Sequence, residues 1–413
     1  MSYQIRSKMV LAVGAMLFAG AALAQVKIAY IDPLSGMMAA TGDHGLREFQ
    51  FAAAQINAHG GVLGQKLEII GMDNKLSPQE SLQQLNRAID QGVRYITQGN
   101  GSSVAGALID ALNKHNARDP KKSVLFLNYA AVDPDFTNSK CSFWHFRFDA
   151  NSDMKLEAIT NVMAKDPSIK KVYIIGQDYS FGQQVSKTAK VMLAKKMPNV
   201  KIVGDELHPL ARVKDFSPYI AKIKASGADS VITGNWGSDL ALLIKAAKDA
   251  GLTAKFYTFY AGVVGAPTAL GEAGVGRVKV VSYYSANMAP PKTQQYIRNF
   301  KKKYGPDEDP YTQAAVVELN MLVKAMTEAK STEPIKVARA LEGMHYDGPF
   351  GDVYMRAADH QLIQPLFIDT FAKVDGKAVK FSADGTSKYG FKNDVKLDGA
   401  FTSQPTNCQM QRP

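Results

Sequence analysis

Residues 95–112, YITQGNGSSVAGALIDAL, place a strand-like segment, a glycine- and serine-rich loop and a helix-like segment in direct succession. The β-branched and aromatic residues at 95–97 are typical of a strand, and the apolar residues at 104–112 favour a helix. Because the first backbone N–H groups of a helix have no internal partner and carry partial positive charge, the loop between the two segments favours an anion. We therefore consider three uses of this loop: binding a phosphate, binding a ligand carboxylate, or presenting a serine nucleophile.

The order of strand, loop and helix recurs along the first part of the chain. Residues 26–31 and 67–70 are strand-like, and residues 45–57 carry one apolar helical face. Residues 77–80, SPQE, form a capping box with proline at the first helical position, and Gly92 ends the helix that follows. Such alternation predicts a parallel sheet with helices on both faces.

The same pattern begins again after residue 148, which predicts a second α/β unit. Its strand-like runs lie at residues 171–176, 200–204, 230–233 and 256–260. Residues 283–345 are mainly helical, and residues 351–381 are strand-rich. We therefore predict two lobes, each formed by two stretches of chain: residues 25–147 and 283–345 in the first lobe, and residues 148–282 and 346–413 in the second.

The first 24 residues have the composition of a cleaved secretory signal peptide. Arg6 and Lys8 precede an apolar run at 9–21, and the small-x-small sequence Ala-Leu-Ala ends at Ala24. The apolar run is too short to span a bilayer, and no later run is long and apolar enough to do so. We expect cleavage after Ala24, with a retained membrane anchor as the alternative.

Net charge and cysteine count narrow the function classes. The chain carries a formal net charge of +11, but its lysines are dispersed in short groups without interleaved aromatic residues, so no nucleic-acid surface is indicated. Its two cysteines are Cys141 and Cys408. In an exported protein this number predicts one disulfide that ties the middle of the chain to its C-terminal tail, and two free thiols are the alternative.

The sequence contains no motif for binding a phosphate, a nucleotide cofactor or a metal ion. The loop GNGSSVAG at residues 99–106 lacks the lysine of a P-loop and does not match the dinucleotide fingerprint GxGxxG. The seven histidines are scattered, without HExxH, and no cysteine pair has metal-ligand spacing. We therefore predict no cofactor and no metal site.

A carboxylate and a serine nucleophile remain as alternatives. The hydroxyls of Ser102 and Ser103, together with free helix N–H groups, match the two oxygens of a small carboxylate, unless these serines only cap their helix. Residues 101–105 are also a loose match to the G-x-S-x-G nucleophile elbow, which would make Ser103 a hydrolase nucleophile. In the second half of the chain, Asp239 begins a helix, either as a helix-stabilising acid or as the counter-ion of a ligand ammonium group.

Ligands in open α/β sheets bind beyond the carboxyl ends of the strands, which selects four loops, at residues 34–42, 99–103, 128–132 and 234–239. Aromatic residues lie near these loops and could form the walls of a small-ligand cleft. They are Tyr129, Tyr179, Phe181, Trp236, Tyr257 and Tyr260. Core packing would explain any one of them equally well. Trp236 is the strongest candidate for the cleft, because it stands in a polar loop directly after a strand.

Three stretches near the start of the chain form a specific group of motifs: residues 28–42 (IAYIDPLSGMMAATG), 55–64 (QINAHGGVLG) and 73–78 (DNKLSP). Together they resemble the beginning of the periplasmic leucine/isoleucine/valine-binding proteins, the solute receptors of branched-chain amino-acid ABC transporters. The resemblance continues in the second half, in SVITGNWGSDLALLIKAAKDAGL at residues 230–252. It implies a periplasmic binding protein type I fold, an α/β architecture of two Rossmann-like lobes with parallel sheets, joined by a three-stranded hinge and closing over the ligand.

The resemblance also implies a role for individual residues. Ser102 and the segment Ala130-Ala131 match positions that hold the ligand carboxylate, although Val132 replaces the threonine of the family pattern. Asp239 falls on the acid that holds an ammonium group. Phe181 and Thr41 stand at aromatic positions, and Tyr129 and Trp236 complete the predicted walls, with Ser103 beside Ser102. The family's early disulfide is not matched, because Leu76 stands at one of its positions.

The implied function is a periplasmic, monomeric solute receptor that is not an enzyme and that works with the permease and ATPase of an ABC importer. The expected ligand is a branched-chain or other amino acid, and an amide or an aromatic carboxylate is the alternative. A secreted serine hydrolase and a ligand-responsive regulator that contacts a sensor partner stay open as hypotheses from other classes.

Overall fold

The computed structural model describes residues 25–306, 308–310, 314–385 and 387–413, so the predicted signal peptide lies outside it. The first lobe begins with five strands and three α-helices. In chain order they are β1 (Gln25–Asp32), α1 (Ala39–Ala58), β2 (Lys66–Asp73), α2 (Pro78–Asp90), β3 (Tyr95–Gln98), α3 (Ser102–Arg118), β4 (Leu125–Asn128) and β5 (His145–Arg147).

The chain then enters a second lobe of similar construction. Its elements are α4 (Ser152–Met163), β6 (Lys171–Gln177), α5 (Ser180–Lys196), β7 (Lys201–His208), α6 (Ser217–Ser226), β8 (Ser230–Thr233), α7 (Gly237–Asp249), β9 (Lys255–Thr258), α8 (Ala266–Gly274) and β10 (Val278–Ser282). The remaining elements are α9 (Pro291–Tyr304), α10 (Ala314–Ala329), α11 (Pro334–Leu341), β11 (His345–Gly348), β12 (Gly351–Arg356), β13 (Gln361–Ile363), β14 (Leu366–Lys373), β15 (Tyr389–Leu397) and α12 (Gly399–Thr402).

The strands form two separate sheets. The first has the order β11-β12-β13-β5-β4-β3-β1-β2, and the second has the order β15-β14-β10-β9-β8-β6-β7. Strands β1 to β5 pair in parallel in one sheet and β6 to β10 in the other. In the first sheet β13 adds to β5 in parallel, and β12 and β11 follow in antiparallel order; in the second sheet β14 and β15 are antiparallel. The two-lobed α/β fold with mostly parallel sheets is therefore confirmed.

Three segments of chain connect the two sheets. They are residues 148–151, 283–290 and 364–365. The last of them corrects a predicted domain boundary, because strands β11 to β13 belong to the first sheet although residues 346–413 were assigned to the second lobe. Val353, Met355 and Leu362 fill the hydrophobic core of the first lobe, which accounts for this placement.

The helix α1 begins six residues before its predicted start at residue 45 and includes part of the predicted loop 34–42. Gly42 makes this possible. A Cβ atom there would lie 1.8 Å from the carbonyl oxygen of Pro33, so only glycine allows the first turn to approach the end of β1 so closely. The N-cap of α2 is confirmed, since the Ser77 hydroxyl accepts a hydrogen bond from the Glu80 N–H at 3.3 Å. The reciprocal bond of a capping box is not made, because the Ser77 N–H donates to the Asn74 carbonyl at 2.9 Å. None of the helices described here is both long and apolar enough to cross a membrane.

A disulfide joins Cys141 of the first lobe to Cys408 of the C-terminal tail, with 5.7 Å between their Cα atoms. The predicted pairing is therefore confirmed. A hydrogen bond of 2.7 Å from the Thr406 hydroxyl to the Thr137 carbonyl holds the tail on the same surface. The disulfide closes a covalent loop, because its two cysteines are 267 residues apart in the sequence. A loop of this length removes much conformational freedom from the unfolded chain.

Replacing both cysteines in the double variant Cys141→Ser/Cys408→Ser is expected to lower the free energy of unfolding by about 2–5 kcal/mol, because the unfolded chain regains that freedom. Urea unfolding of the oxidised protein and of the double variant measures the difference. Wild type unfolded in excess reductant is the matched control and should behave like the variant. Equal stability of oxidised and reduced wild type would contradict the expectation.

Candidate functional site

A cleft with a cavity of about 160 Å³ lies between the lobes, at the carboxyl ends of strands in both sheets. Its first-lobe wall is formed by α1 and by the loops that follow β3 and β4. That wall includes Thr41, Gly99, Asn100, Gly101, Ser102, Tyr129, Ala130, Ala131 and Val132. Its second-lobe wall is aromatic and includes Tyr179, Phe181, Trp236, Phe259 and Tyr260. Loops after parallel strands are the expected place for a ligand in such sheets.

Asp32, the last residue of β1, holds the first-lobe loops in place. Its carboxylate accepts hydrogen bonds from the Asn100 N–H at 2.9 Å, the Gly99 N–H at 3.2 Å and the Tyr129 hydroxyl at 2.6 Å. The side-chain amide of Asn100 donates to the same Tyr129 hydroxyl at 2.8 Å. Burial raises the pKa of Asp32 to about 7, although these hydrogen bonds oppose the shift. No motif in the sequence points to Asp32.

The structure separates the two serines. Ser102 is the first residue of α3, is 2% exposed and lines the cleft, whereas its neighbour Ser103 is exposed and lies outside the cleft lining. Gly101, which precedes them with φ of +94°, turns the chain into the helix. The Ser102 hydroxyl and the helix N-terminus therefore face the cleft together, and the geometry gives the hydrolase hypothesis for Ser103 no support.

The aromatic wall of the second lobe is held in place by its own contacts. The Trp236 indole N–H donates to the Tyr179 hydroxyl at 2.8 Å, and the ring of Phe181 packs edge-on against Phe259 with 5.7 Å between centroids. Of the predicted aromatic candidates, Tyr257 is buried in the second-lobe core and is not part of the cleft lining. A rigid aromatic wall of this kind suits the apolar part of a small ligand.

The lobes touch each other beside the cleft. Met38 of the first lobe packs in the same buried cluster as Trp236 and Phe181 of the second, and its sulfur accepts from the Ser238 hydroxyl at 3.6 Å. Gly237 has a φ of +58°, and a Cβ atom there would lie 2.5 Å from the Met38 sulfur. Glycine at this position therefore allows both the left-handed turn into α7 and the contact between lobes.

Asp239 does not line the cleft, in contrast to its predicted role as an ammonium counter-ion. Its side chain is fully buried within the second lobe, where one carboxylate oxygen accepts from the Gln177 amide at 2.8 Å and the Ala211 N–H at 2.9 Å. Burial raises the pKa of Asp239, while these hydrogen bonds oppose the shift. Both donors bond Oδ2, and Oδ1 is buried without a hydrogen-bond partner among the described residues.

A second acidic group does line the cleft. Asp149, in the connection between β5 and α4, pairs with Lys155 of α4 at 2.6 Å, and both side chains are about 1% exposed. The Lys155 ammonium also lies 4.8 Å from the centre of the Tyr260 ring. Burial raises the pKa of Asp149 and lowers that of Lys155, while their mutual attraction opposes both shifts. No motif in the sequence points to either residue.

At the mouth of the cleft, Glu308 joins the segment before α10 to α1. Its carboxylate pairs with Arg47 at 2.9 Å and with the buried His44 at 3.1 Å. Burial lowers the pKa of His44, but hydrogen bonds to Glu308 and Glu48 outweigh burial and raise that pKa to about 9. The imidazole is therefore charged at neutral pH.

Comparisons with known proteins agree with this architecture. A family model described as periplasmic binding protein matches residues 25–377. The Leu/Ile/Val-binding protein homolog 4 of Brucella abortus (strain 2308) is 34% identical over 405 residues, which cover 96% of this chain and 95% of that protein.

Solved structures show the same fold. The leucine-, isoleucine-, valine-, threonine-, and alanine-binding protein from Brucella ovis, in its closed conformation, is 33% identical with a TM-score of 0.83, and the match covers 94% of this chain and 100% of that one. A solute binding protein of an ABC transporter from Rhodopseudomonas palustris BisB5, in complex with 3,4-dihydroxy benzoic acid, has a TM-score of 0.77 at 20% identity, with 91% and 98% of the two chains covered. At that identity the likeness shows the fold alone.

The raised pKa of Asp32 predicts a pH effect on stability. Between about pH 4 and pH 7 the folded protein keeps a proton on Asp32 that the unfolded chain has lost, so the free energy of unfolding should fall as the pH rises through this window. The variant Asp32→Asn removes this contribution, and the difference in unfolding free energy between wild type and variant should decrease by up to about 1.4 kcal/mol per pH unit. Urea unfolding at half-unit steps measures it.

The variant Asp249→Asn is the control, because Asp249 pairs with Lys245 in solvent at 2.8 Å and its loss should leave the wild-type pH dependence unchanged. A constant difference between wild type and Asp32→Asn from pH 4 to pH 7 would show that Asp32 titrates normally.

Proposed function

The chain belongs to the periplasmic binding protein family, and we propose that it is the substrate-binding component of an ABC importer that holds one small carboxylate-bearing ligand between its lobes. The proposal depends on one observation. The Ser102 hydroxyl and the N-terminus of α3 are buried in the cleft, directly within a cavity whose opposite wall is aromatic. Helix N–H groups and a hydroxyl bind a carboxylate, and aromatic rings bind an apolar side chain.

Each wall residue has a proposed contact. The backbone at Ala130 and Ala131, which both line the cleft after β4, lies on the same wall as Ser102 and contributes to the carboxylate site. Tyr129 and Thr41 complete that wall. Phe181 and Trp236 contact the side chain of the ligand from the second lobe. Closure then follows from contacts that exist only when both lobes reach the ligand.

The ligand class follows from the chemistry of this site. An amino acid is our first proposal, in line with the name of the Brucella abortus relative, which refers to leucine, isoleucine and valine. An amide or an aromatic carboxylate is the alternative. A benzoic acid derivative occupies the Rhodopseudomonas palustris protein of the same fold.

The cellular setting is part of the same proposal. Cleavage of the signal peptide after residue 24 releases the protein into the periplasm, where it acts as a monomer and delivers its ligand to a permease with its ATPase. A chromosomal neighbourhood that encodes a permease and an ATPase would favour transport, and one that encodes a sensor would favour regulation.

A thermal-shift screen of the mature protein with the twenty standard amino acids, acetamide, benzoate and 4-hydroxybenzoate tests the proposal, because a ligand that binds the folded state raises the melting temperature. Calorimetry with the tightest of these should show at least about tenfold weaker binding for Ser102→Ala, the loss of one hydrogen bond to a charged group. Ser103→Ala is the matched control, since Ser103 is exposed, and should bind as wild type does.

Equal losses in the two serine variants would contradict the assignment of the carboxylate site. A screen in which no compound raises the melting temperature, combined with ester or amide turnover that Ser103→Ala abolishes, would replace the receptor proposal with the hydrolase hypothesis.

A further inference from the structure

The thioether of Met38 belongs to the first lobe but is buried against the second. Met38 directly precedes α1 and is 2% exposed, and it packs in a hydrophobic cluster whose aromatic members include Phe181 and Trp236 of the second lobe. The preceding residue, Met37, is 39% exposed. Because groups of the other lobe cover the Met38 side chain, its burial depends on the two lobes being together.

The start of α7 in the second lobe fits the sulfur atom of Met38 closely. Gly237 has a φ of +58°, and a Cβ atom there would lie 2.5 Å from that sulfur and 3.5 Å from the terminal methyl carbon of Met38. The Ser238 hydroxyl donates to the same sulfur at 3.6 Å. Glycine therefore leaves a gap that the thioether fills, and no space remains between the sulfur and α7 for a further atom.

A thioether in this contact makes the contact sensitive to oxidants such as hydrogen peroxide. The sulfur lone pair attacks one peroxide oxygen, the O–O bond breaks, and the second oxygen takes the proton of the first and leaves as water. The sulfur is thereby oxidised to a sulfoxide, and the peroxide is reduced.

The sulfoxide does not suit the closed contact. Its oxygen is polar and needs a hydrogen-bond donor or water. Between the lobes this oxygen would either push α7 away from Met38 or be buried against the apolar side chains of the cluster, which include Val132, Phe181 and Trp236. Oxidation of Met38 therefore favours separated lobes.

We propose that Met38 is an oxidation-sensitive latch between the lobes: its sulfur reacts with peroxide when the lobes are apart, and its sulfoxide weakens their closure over a ligand. This inference rests on the proposed function, because it is closure over the ligand that buries Met38. A ligand that closes the lobes protects Met38, and oxidised Met38 binds that ligand more weakly. Methionine sulfoxide reductases reverse the modification.

The first test follows the oxidation of single methionines when the wild-type protein is treated with hydrogen peroxide. Residues 28–47 form one tryptic peptide, in which fragmentation by mass spectrometry separates Met37 from Met38. Met37 is the exposed reference, and Met326, which is 0% exposed in the core of the first lobe, is the buried reference. Without added ligand we expect Met38 to react at a rate closer to that of Met37 than to that of Met326.

The same measurement with saturating L-leucine tests the coupling to binding. Oxidation of Met38 should slow at least about tenfold, whereas the rates of Met37 and Met326 should stay unchanged, because closure buries Met38 alone of the three. The compound with the largest melting-temperature shift in the screen replaces L-leucine if L-leucine gives none. A Met38 that reacts as slowly as Met326 without ligand, or at the same rate with and without it, overturns the proposal.

The second test is Met38→Gln, which places a polar side chain of similar length in the contact and stands for the sulfoxide. We expect it to bind the same compound at least about tenfold more weakly than wild type, because a polar group buried without partners opposes closure. Met37→Gln, one residue earlier and exposed, is the matched control and should bind as wild type does. Circular dichroism and the melting temperature without ligand establish that both variants are folded. Equal affinities of the two variants contradict the latch.

The third test is Met38→Leu, which keeps an apolar side chain of similar volume and cannot be oxidised. Peroxide treatment should weaken binding to wild type at least about tenfold, and methionine sulfoxide reductases should restore it. The affinity of Met38→Leu should be the same before and after treatment. An equal loss in both proteins would assign the effect to another methionine and overturn the proposal.

The outcomes distinguish this inference from the proposed function. If wild type binds a compound of the screen but neither protects Met38 nor loses affinity after peroxide treatment, the inference fails and the receptor proposal stands. If no compound of the screen raises the melting temperature, the proposed function fails and the inference fails with it.

Discussion

The Asp32 carboxylate holds together the loops that form the first lobe's half of the cleft. It accepts hydrogen bonds from the backbone after β3 and from Tyr129 after β4. One buried group therefore fixes both the loop that leads into α3 and the neighbouring loop after β4. The fold supplies the reason for this arrangement. Parallel pairing of β1, β3 and β4 brings their carboxyl ends to one edge of the sheet. Asp32, at the end of β1, therefore reaches the loops that follow β3 and β4. The orientation of Ser102 depends on that alignment.

The sequence predicted the α/β architecture well, because hydrophobic periodicity and helix caps are local properties. The helix that begins after Ser77 follows from the sequence pattern of a capping box, and the two lobes follow from the repeated alternation of strand and helix. The path of residues 345–363 back to the first sheet could not be predicted in this way. The apolar residues of these strands would suit the core of either lobe. Their place is decided by the pairing of β13 with the free edge of β5, which lies outside any local pattern of the sequence.

The candidate site was predicted in part. The loops were identified correctly as neighbours, since they follow strands, and seven of the nine predicted ligand residues line the cleft while Ser103 and Asp239 do not. Adjacent serines at a helix start point about 100° apart, so sequence alone could not choose between Ser102 and Ser103. Asp239 turns inward toward donors at Gln177 and Ala211, which are distant in sequence. Asp149 lies in the connection between β5 and α4, and its partner Lys155 lies in the first turns of α4. Their spacing in the sequence matches no familiar motif.

The disulfide has a mechanical consequence. Strand β15 belongs to the second sheet, yet the tail beyond it is bonded to the first lobe through Cys408 and Cys141. A stretching force applied at residues 25 and 413 would therefore pass along the first lobe to Cys141, cross the sulfur atoms and leave through the last few residues. The whole second lobe and the hinge lie outside this load path. Tension on the chain ends would load the first-lobe wall of the cleft, which lies between residues 25 and 141, and would leave the second-lobe wall and the hinge unloaded until the disulfide was reduced.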